Sequence, residues 1–216
     1  MKLKGFVLRS KQLGSNLKHI TAFTDKLGKV DFIVKLKRGD FPLKFDLFSL
    51  SSFQLNQKGE GYELKEADLI KSYFPESMEK FFYLSKISKL LVPYHLVESK
   101  KLFKLIEAYF SVEKSYSVAY TMFLLKFAFI EGIFPVLTRC VNCSSKKVIS
   151  FSIEKGGVVC QSCLNSKSFS WNFELSKLAL NLAKNSFEKM KDIKISYVKL
   201  EKINKVFEAH IRYRLS

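Results

Sequence analysis

The chain has four cysteines, paired as CVNC at Cys140–Cys143 and CQSC at Cys160–Cys163, which gives the spacing C-x2-C-x16-C-x2-C. No other feature constrains the fold as much. An x2 gap turns two thiolates of one tight knuckle toward a common point, and two knuckles complete a tetrahedral all-sulfur set. Zinc in such a set is structural, because no coordination position stays open and no cysteine remains as a nucleophile. Two disulfides are the competing use of the same residues. The segment MKLKGFVLRSKQ has too short an apolar run for a secretion signal, so the thiols are expected to be reduced, in the cytoplasm, and to hold Zn²⁺.

The 216 residues are 47% hydrophobic and include 21 Phe, which suffices for one or two folded cores. The longest apolar stretch, Val118 to Leu137, is interrupted by Lys126 and Glu131. Its uncharged run is too short to cross a bilayer, so no membrane partner is expected. The net charge is +17, from 37 Lys and Arg against 20 Asp and Glu. Such a surplus attracts polyanions, and nucleic acid is the expected partner. The surplus runs from 13 basic against 8 acidic residues in 1–70 to 11 against 5 in 166–216. One polybasic tail does not describe it.

Residues 1–71 read as five short strands separated by turn signals: Gly5 to Arg9, Leu17 to Thr24, Lys29 to Lys35, FDLFSLSSFQLNQ, and YELKEA after the KGEG turn. Five strands with a basic surface suit an N-terminal OB-fold β-barrel, a scaffold that binds oligonucleotides on one face. An SH3-like barrel fits the same pattern. From Ser72 the apolar period changes to three and four, as in Phe81, Leu84, Ile87, Leu90 and Leu91. Residues 72–216 are therefore expected to form an α-helical domain, with a zinc-ribbon or knuckle insert at about 138–166. Within it, Ser117 to Gly132 is apolar almost all round and reads as a buried central helix. Asn172 to Lys184 and Tyr197 to Arg214 supply two amphipathic ones. The class is α+β with two domains.

Signatures of phosphate-binding loops, dinucleotide folds, serine hydrolases, zinc proteases and zinc deaminases are all absent, and the three histidines are scattered. The chain reads as a binding protein and not an enzyme. Arg9, Lys11 and Lys18 flank the first turn, while Lys35, Lys37, Arg38 and Lys44 follow the third strand. These seven are the candidate phosphate contacts. Phe32, Phe41, Phe45 and Phe53 are candidates to stack on bases wherever they face outward, but most of them are expected to be core.

Two further stretches carry a family resemblance. GFVLR followed by LGSNLKHITAFTDKLGK at Leu13–Lys29, and EGIFPVLTRCVNC at Glu131–Cys143 followed by GGVVCQSC at Gly156–Cys163, make the chain resemble the RecO family of bacterial recombination mediators. The second stretch matches the family's pattern at Gly132, Pro135, Leu137, Cys140 and Cys143. There are two departures. Ser144 stands where the family often has Gly, and KLKRGDFPLK offers mainly lysines where the family usually has several Arg. The resemblance implies an OB-fold followed by a helical domain with a four-cysteine zinc site. It also implies a cytoplasmic, nucleoid-associated, non-enzymatic mediator that binds single- and double-stranded DNA and anneals complementary strands. The implied partners are RecR, the acidic tail of the single-stranded-DNA-binding protein and, indirectly, RecA. Without the resemblance, a zinc-ribbon RNA-binding module fits the composition nearly as well.

Overall fold

The computed structural model describes residues 1–36, 42–59, 61–164 and 168–216. The chain divides into two compact units, Met1–Val112 and Glu113–Ser216. In the first, five strands β1 (Lys2–Gln12), β2 (Leu17–Thr24), β3 (Gly28–Lys35), β4 (Ser49–Lys58) and β5 (Gly61–Ser72) close into a barrel in the order β1-β2-β3-β5-β4. The β3–β5 pairing is parallel and the others are antiparallel. This is the OB-fold topology expected from the strand pattern. The strands are longer than their apolar runs: β1 continues beyond Gly5–Arg9 at both ends because backbone pairing outlasts the buried segment. Leu3, Val7, Ile20, Ala22, Val30, Phe32, Val34, Phe53 and Leu55 fill the barrel, and Phe45, in a 3-10 turn at Leu43–Phe45, joins them.

A register shift in β1 between Val7 and Arg9 lets Phe6, Val7 and Leu8 all be buried. A single regular strand face cannot do this. Phe6 meets Phe103, Phe110 and Tyr73 at centroid distances of 4.9, 5.5 and 6.0 Å, and Phe48 meets Phe81 and Phe110 at 6.2 and 6.0 Å. These rings join the barrel to α1 (Met78–Leu91) and α2 (Lys100–Phe110). Ser77 and Ser99 cap the two helices by accepting from the amides of Lys80 and Leu102. The change of apolar period near residue 72 thus marks where strands give way to helices, while the compact unit continues to residue 112. Phe81 lies at the rim of its stripe, 38% exposed, with Leu84, Ile87 and Leu91 fully buried.

The second unit is built on α3 (Tyr116–Ile130), which packs with α4 (Phe173–Lys184), a short α5 (Phe187–Met190) and α6 (Tyr197–Leu215). Ten of the fifteen α3 residues are buried. Its one charged residue, Lys126, donates to the carbonyls of Ala183 and Asn185, both at 2.9 Å, and so caps the C-terminal end of α4. Burial lowers the pKa of this ammonium, and the two carbonyls at a helix C-terminus suit a cation. Among the described residues no helix is long and apolar enough to cross a membrane. α3 ends in a Schellman motif, with Gly132 at φ 72° and Ile133 N–H and Gly132 N–H donating to Ala128 O and Phe129 O.

Gly28 closes the β2–β3 hairpin at φ 69°, and a Cβ built there would lie 2.2 Å from Leu96 O. The turn is held by Thr24 Oγ1, which donates to Gly28 O and accepts from Leu27 N–H. Gly28→Ala is therefore expected to destabilise the first unit by about 2 kcal/mol or more, combining left-handed strain with a backbone clash. A urea melt of the variant checks this; an unchanged midpoint contradicts it.

Candidate metal centre and nucleic-acid interface

The exit from α3 positions the first cysteine knuckle. After the Schellman turn, Val136 bridges to Gly157 in parallel; its N–H donates to Gly156 O, and its carbonyl accepts from Val158 N–H. Strands β6 (Ser150–Ser152), β7 (Gly157–Val159) and β8 (Ser168–Ser170) form a small sheet in the order β7-β6-β8. Val141 N–H donates to Val158 O, which ties the first knuckle to β7, and Cys160 follows β7 directly. The sheet therefore delivers both knuckles to one place. A Cβ on Gly157 would lie 2.5 Å from Val136 O, so only glycine permits this approach.

The four Sγ atoms of Cys140, Cys143, Cys160 and Cys163 lie within 4.8 Å of one another, and the thiols are free of disulfides. Cys143 and Cys160 are the near pair at 3.5 Å. A tetrahedral ion at about 2.3 Å from each sulfur sets sulfur–sulfur edges of about 3.8 Å, so the cluster fits such an ion with small adjustment. The four cysteines are positioned to bind a metal ion. Burial pushes the Cys140 thiol up, but the backbone amides of Cys143, Asn142 and Cys160 outweigh it and bring the pKa down to about 6. Cys163 goes the other way, pushed up to about 12 by burial and by the neighbouring thiols of Cys143 and Cys160. Four sulfurs this close do not all ionise alone, and a divalent cation removes the obstacle. Ser144 takes φ 61°, with its N–H donating to Cys140 O at 2.9 Å. That left-handed position explains why glycine is the easier residue there.

The small sheet also carries an aromatic core that the cysteine spacing alone does not reveal. Phe151, fully buried on β6, meets Trp171, Phe207 and His210 at 5.6, 6.5 and 5.8 Å. His210 of α6 contacts the Ile133 carbonyl through Nε2 at 2.7 Å, and its Nδ1 has no partner among the described residues. The sequence signal was available: SFS occurs twice, at 150–152 and 168–170, and the two copies pair in register through Phe151 and Phe169.

On the barrel, Arg9, Lys11 and Lys35 are exposed on β1 and β3. The register sets Lys11 opposite His19 and His19 opposite Ile33, Arg9 opposite Thr21 and Thr21 opposite Asp31, and Lys35 opposite Leu17, so these residues share the outer β1–β2–β3 surface. Lys18 instead pairs with Asp46 at 3.1 Å, and Lys44 donates to Ala67 O at 2.7 Å. Both have structural partners to give up before either can contact a phosphate. Lys37 and Arg38 lie outside the described residues, as does Phe41. Phe32, Phe45 and Phe53 are barrel core, so none of these three is a stacking platform. Asp31 was not anticipated: it accepts from Thr21 Oγ1 at 2.5 Å and faces His19 Nε2 at 3.3 Å in the middle of the cationic surface.

Family models described as Recombination protein O N terminal and Recombination protein O C terminal match residues 1–73 and 98–216. A protein named DNA repair protein RecO from Alkaliphilus metalliredigens is 30% identical over all of this chain and 94% of its own length. Its namesake from Caldicellulosiruptor saccharolyticus is 27% identical, covering 91% of this chain and 85% of that protein. The one from Mesoplasma florum is 26% identical, over 87% and 76%.

Cys140→Ser removes the most anchored thiolate. It is expected to abolish stoichiometric metal retention and to lower the unfolding midpoint of the second unit, since tetrathiolate binding on the order of 10 kcal/mol couples to folding. Metal analysis with a thermal melt checks this; full metal content and an unchanged melt contradict it. A second prediction concerns His210, whose pKa is lowered by burial, opposed by the Ile133 carbonyl and reinforced by Arg214. The unfolded chain then binds a proton that the folded chain refuses. His210 stability is complete above about pH 6.5 and is lost as pH falls below it. His210→Gln keeps a donor and removes the titration, so its urea midpoint is expected to fall less than the wild type's between pH 7.5 and 5.5. Parallel pH profiles contradict this.

Proposed function

The chain belongs to the recombination protein O (RecO) family, and on that footing we propose that it is a non-catalytic DNA repair and recombination mediator that binds single- and double-stranded DNA and anneals complementary strands. The observation that carries this reading is the outer β1–β2–β3 surface. There Arg9, Lys11 and Lys35 are exposed, and no intramolecular ion pair engages them among the described residues. Two DNA strands resist approach because their phosphates repel, and base pairing supplies the driving force once that repulsion is neutralised. A cationic surface achieves this with no bond chemistry. Arg9, Lys11 and Lys35 are the first contacts in this reading, and Lys37 and Arg38, which follow Lys35 in the sequence, are further candidates. Lys18 and Lys44 contribute only if they exchange Asp46 and the Ala67 carbonyl for phosphate.

The four cysteines hold Zn²⁺ in this account: four thiolates in a closed set suit it, and the ion stabilises the second unit without acting on substrate. The protein works in the cytoplasm at the nucleoid. Its protein partners are RecR and the acidic tail of the single-stranded-DNA-binding protein, whose displacement lets RecA load. A basic surface on both units suits such acidic and polyanionic partners.

The test is annealing of two labelled complementary DNA strands, read by fluorescence transfer across a salt series. Acceleration that fades with salt is expected, together with single-strand binding whose log-log salt slope is roughly −3.5 for about five contacts. Charge reversal of Arg9, Lys11 and Lys35 together is expected to reduce that slope by about 2 at about 0.7 per contact. No acceleration by the wild type, or preference for RNA over single-stranded DNA, overturns the reading.

A further inference from the structure

The C-terminal unit carries its own uncompensated charge. Residues 113–216 contain 17 Lys and Arg against 8 Asp and Glu. Within that unit, α6 separates an apolar face from a charged one. Leu200, Ile203, Phe207 and Ile211 are buried on one side. On the other, Val198, Lys202, Lys205, Ala209 and Arg212 recur at intervals of four and three residues and so line one stripe. Lys202, Lys205 and Arg212 are exposed, and no hydrogen bond or ion pair engages them among the described residues.

Two carboxylates flank the stripe, Glu201 four residues before Lys205 and Glu208 four before Arg212. Glu208 accepts from Tyr120 OH at 2.7 Å, and Glu201 accepts from Asn204 Nδ2 at 3.2 Å. Glu174, Glu188 and Asp192 pair with Lys199, Lys191 and Lys114. The helix dipole accounts for cations in the last turn, where Arg212 and Arg214 sit, and Arg214 is further tied to Glu154 O at 3.0 Å. It does not account for Lys202 and Lys205, which lie mid-helix. Tyr213, 52% exposed, flanks the stripe; the Arg214 guanidinium lies over its ring at 5.5 Å, so a base can stack only on the other face. From Lys202 to Arg212 the helix rises about 15 Å, on the order of four phosphates of a stacked strand.

We propose that this outward face of α6 is a second phosphate-binding strip, which holds one DNA strand on the C-terminal unit while the barrel holds another. The inference rests on the annealing reading and extends it, because a protein that pairs two strands gains by carrying a site for each. The ligand is the phosphodiester backbone of single-stranded DNA, bound without base selection.

The test uses the full zinc-loaded chain and the triple variant Lys202→Glu, Lys205→Glu, Arg212→Glu. A neutral version with Gln at the three positions is made in parallel, in case charge reversal disturbs folding, and thermal melts confirm that each is folded. Stoichiometric titration with a short, self-noncomplementary single-stranded oligonucleotide is expected to give two per wild-type chain and one per variant, with annealing slowed at least tenfold. Two oligonucleotides per variant and annealing at the wild-type rate overturn the strip. So does a single oligonucleotide per wild-type chain that only the Arg9, Lys11 and Lys35 reversal removes. If the wild type takes up two but anneals nothing, the strip stands and the annealing reading falls.

Discussion

Four sulfurs within 4.8 Å of one another are the constraint on which the second unit depends. Their mutual repulsion as thiolates opposes the arrangement, and only a cation at their centre turns it into an attraction. What holds the knuckles in place is backbone: the Val136–Gly157 bridge, the bond from Val141 to β7, and the close approach that Gly157 permits. The same sheet places Phe151 against Trp171, Phe207 and His210. The sheet therefore links to the first knuckle through β7 and to α6 through Phe151.

Function follows from how the fold distributes its cations. Some are consumed internally: Lys126 caps α4, Lys18 pairs with Asp46, and Lys44 and Lys29 bond to backbone carbonyls. Others are left exposed on two surfaces, one on the barrel and one on α6. A net charge of +17 alone does not separate these groups. The three-dimensional partners do, and they make the exposed, unpaired subset the part available to a polyanion. Asp31, engaged by Thr21 and facing His19, moderates the barrel surface and limits its charge density.

Much of the fold is legible in the sequence because period and punctuation agree. β2 begins and ends at Leu17 and Thr24 as its alternation indicates, Gly132 terminates α3, and Asn172 caps α4. The cysteine cluster is legible because its spacing has few physical alternatives. The β6–β8 sheet is marked only by the repeated SFS, since three-residue strands carry too little periodicity to rise above a loop. The role of individual lysines is not legible: the sequence does not distinguish Lys35, which is exposed, from Lys44, which is bound to Ala67 O. The candidate aromatics among the described residues fall in the core, as most of them were expected to. Phe45 and Phe53 look like loop and strand aromatics available for stacking, but the barrel needs their volume inside.

The central physical claim is that one tetrahedrally held divalent cation organises the second unit. Cobalt(II) titration of the chelator-treated, reduced protein, followed by visible absorption and then a thermal melt, tests it most directly. The account predicts one cobalt per chain, the strong visible bands of tetrahedral thiolate coordination, and recovery of a cooperative melt that chelation had weakened. Absence of such bands at stoichiometric cobalt, with a melt indifferent to chelator and metal, contradicts it.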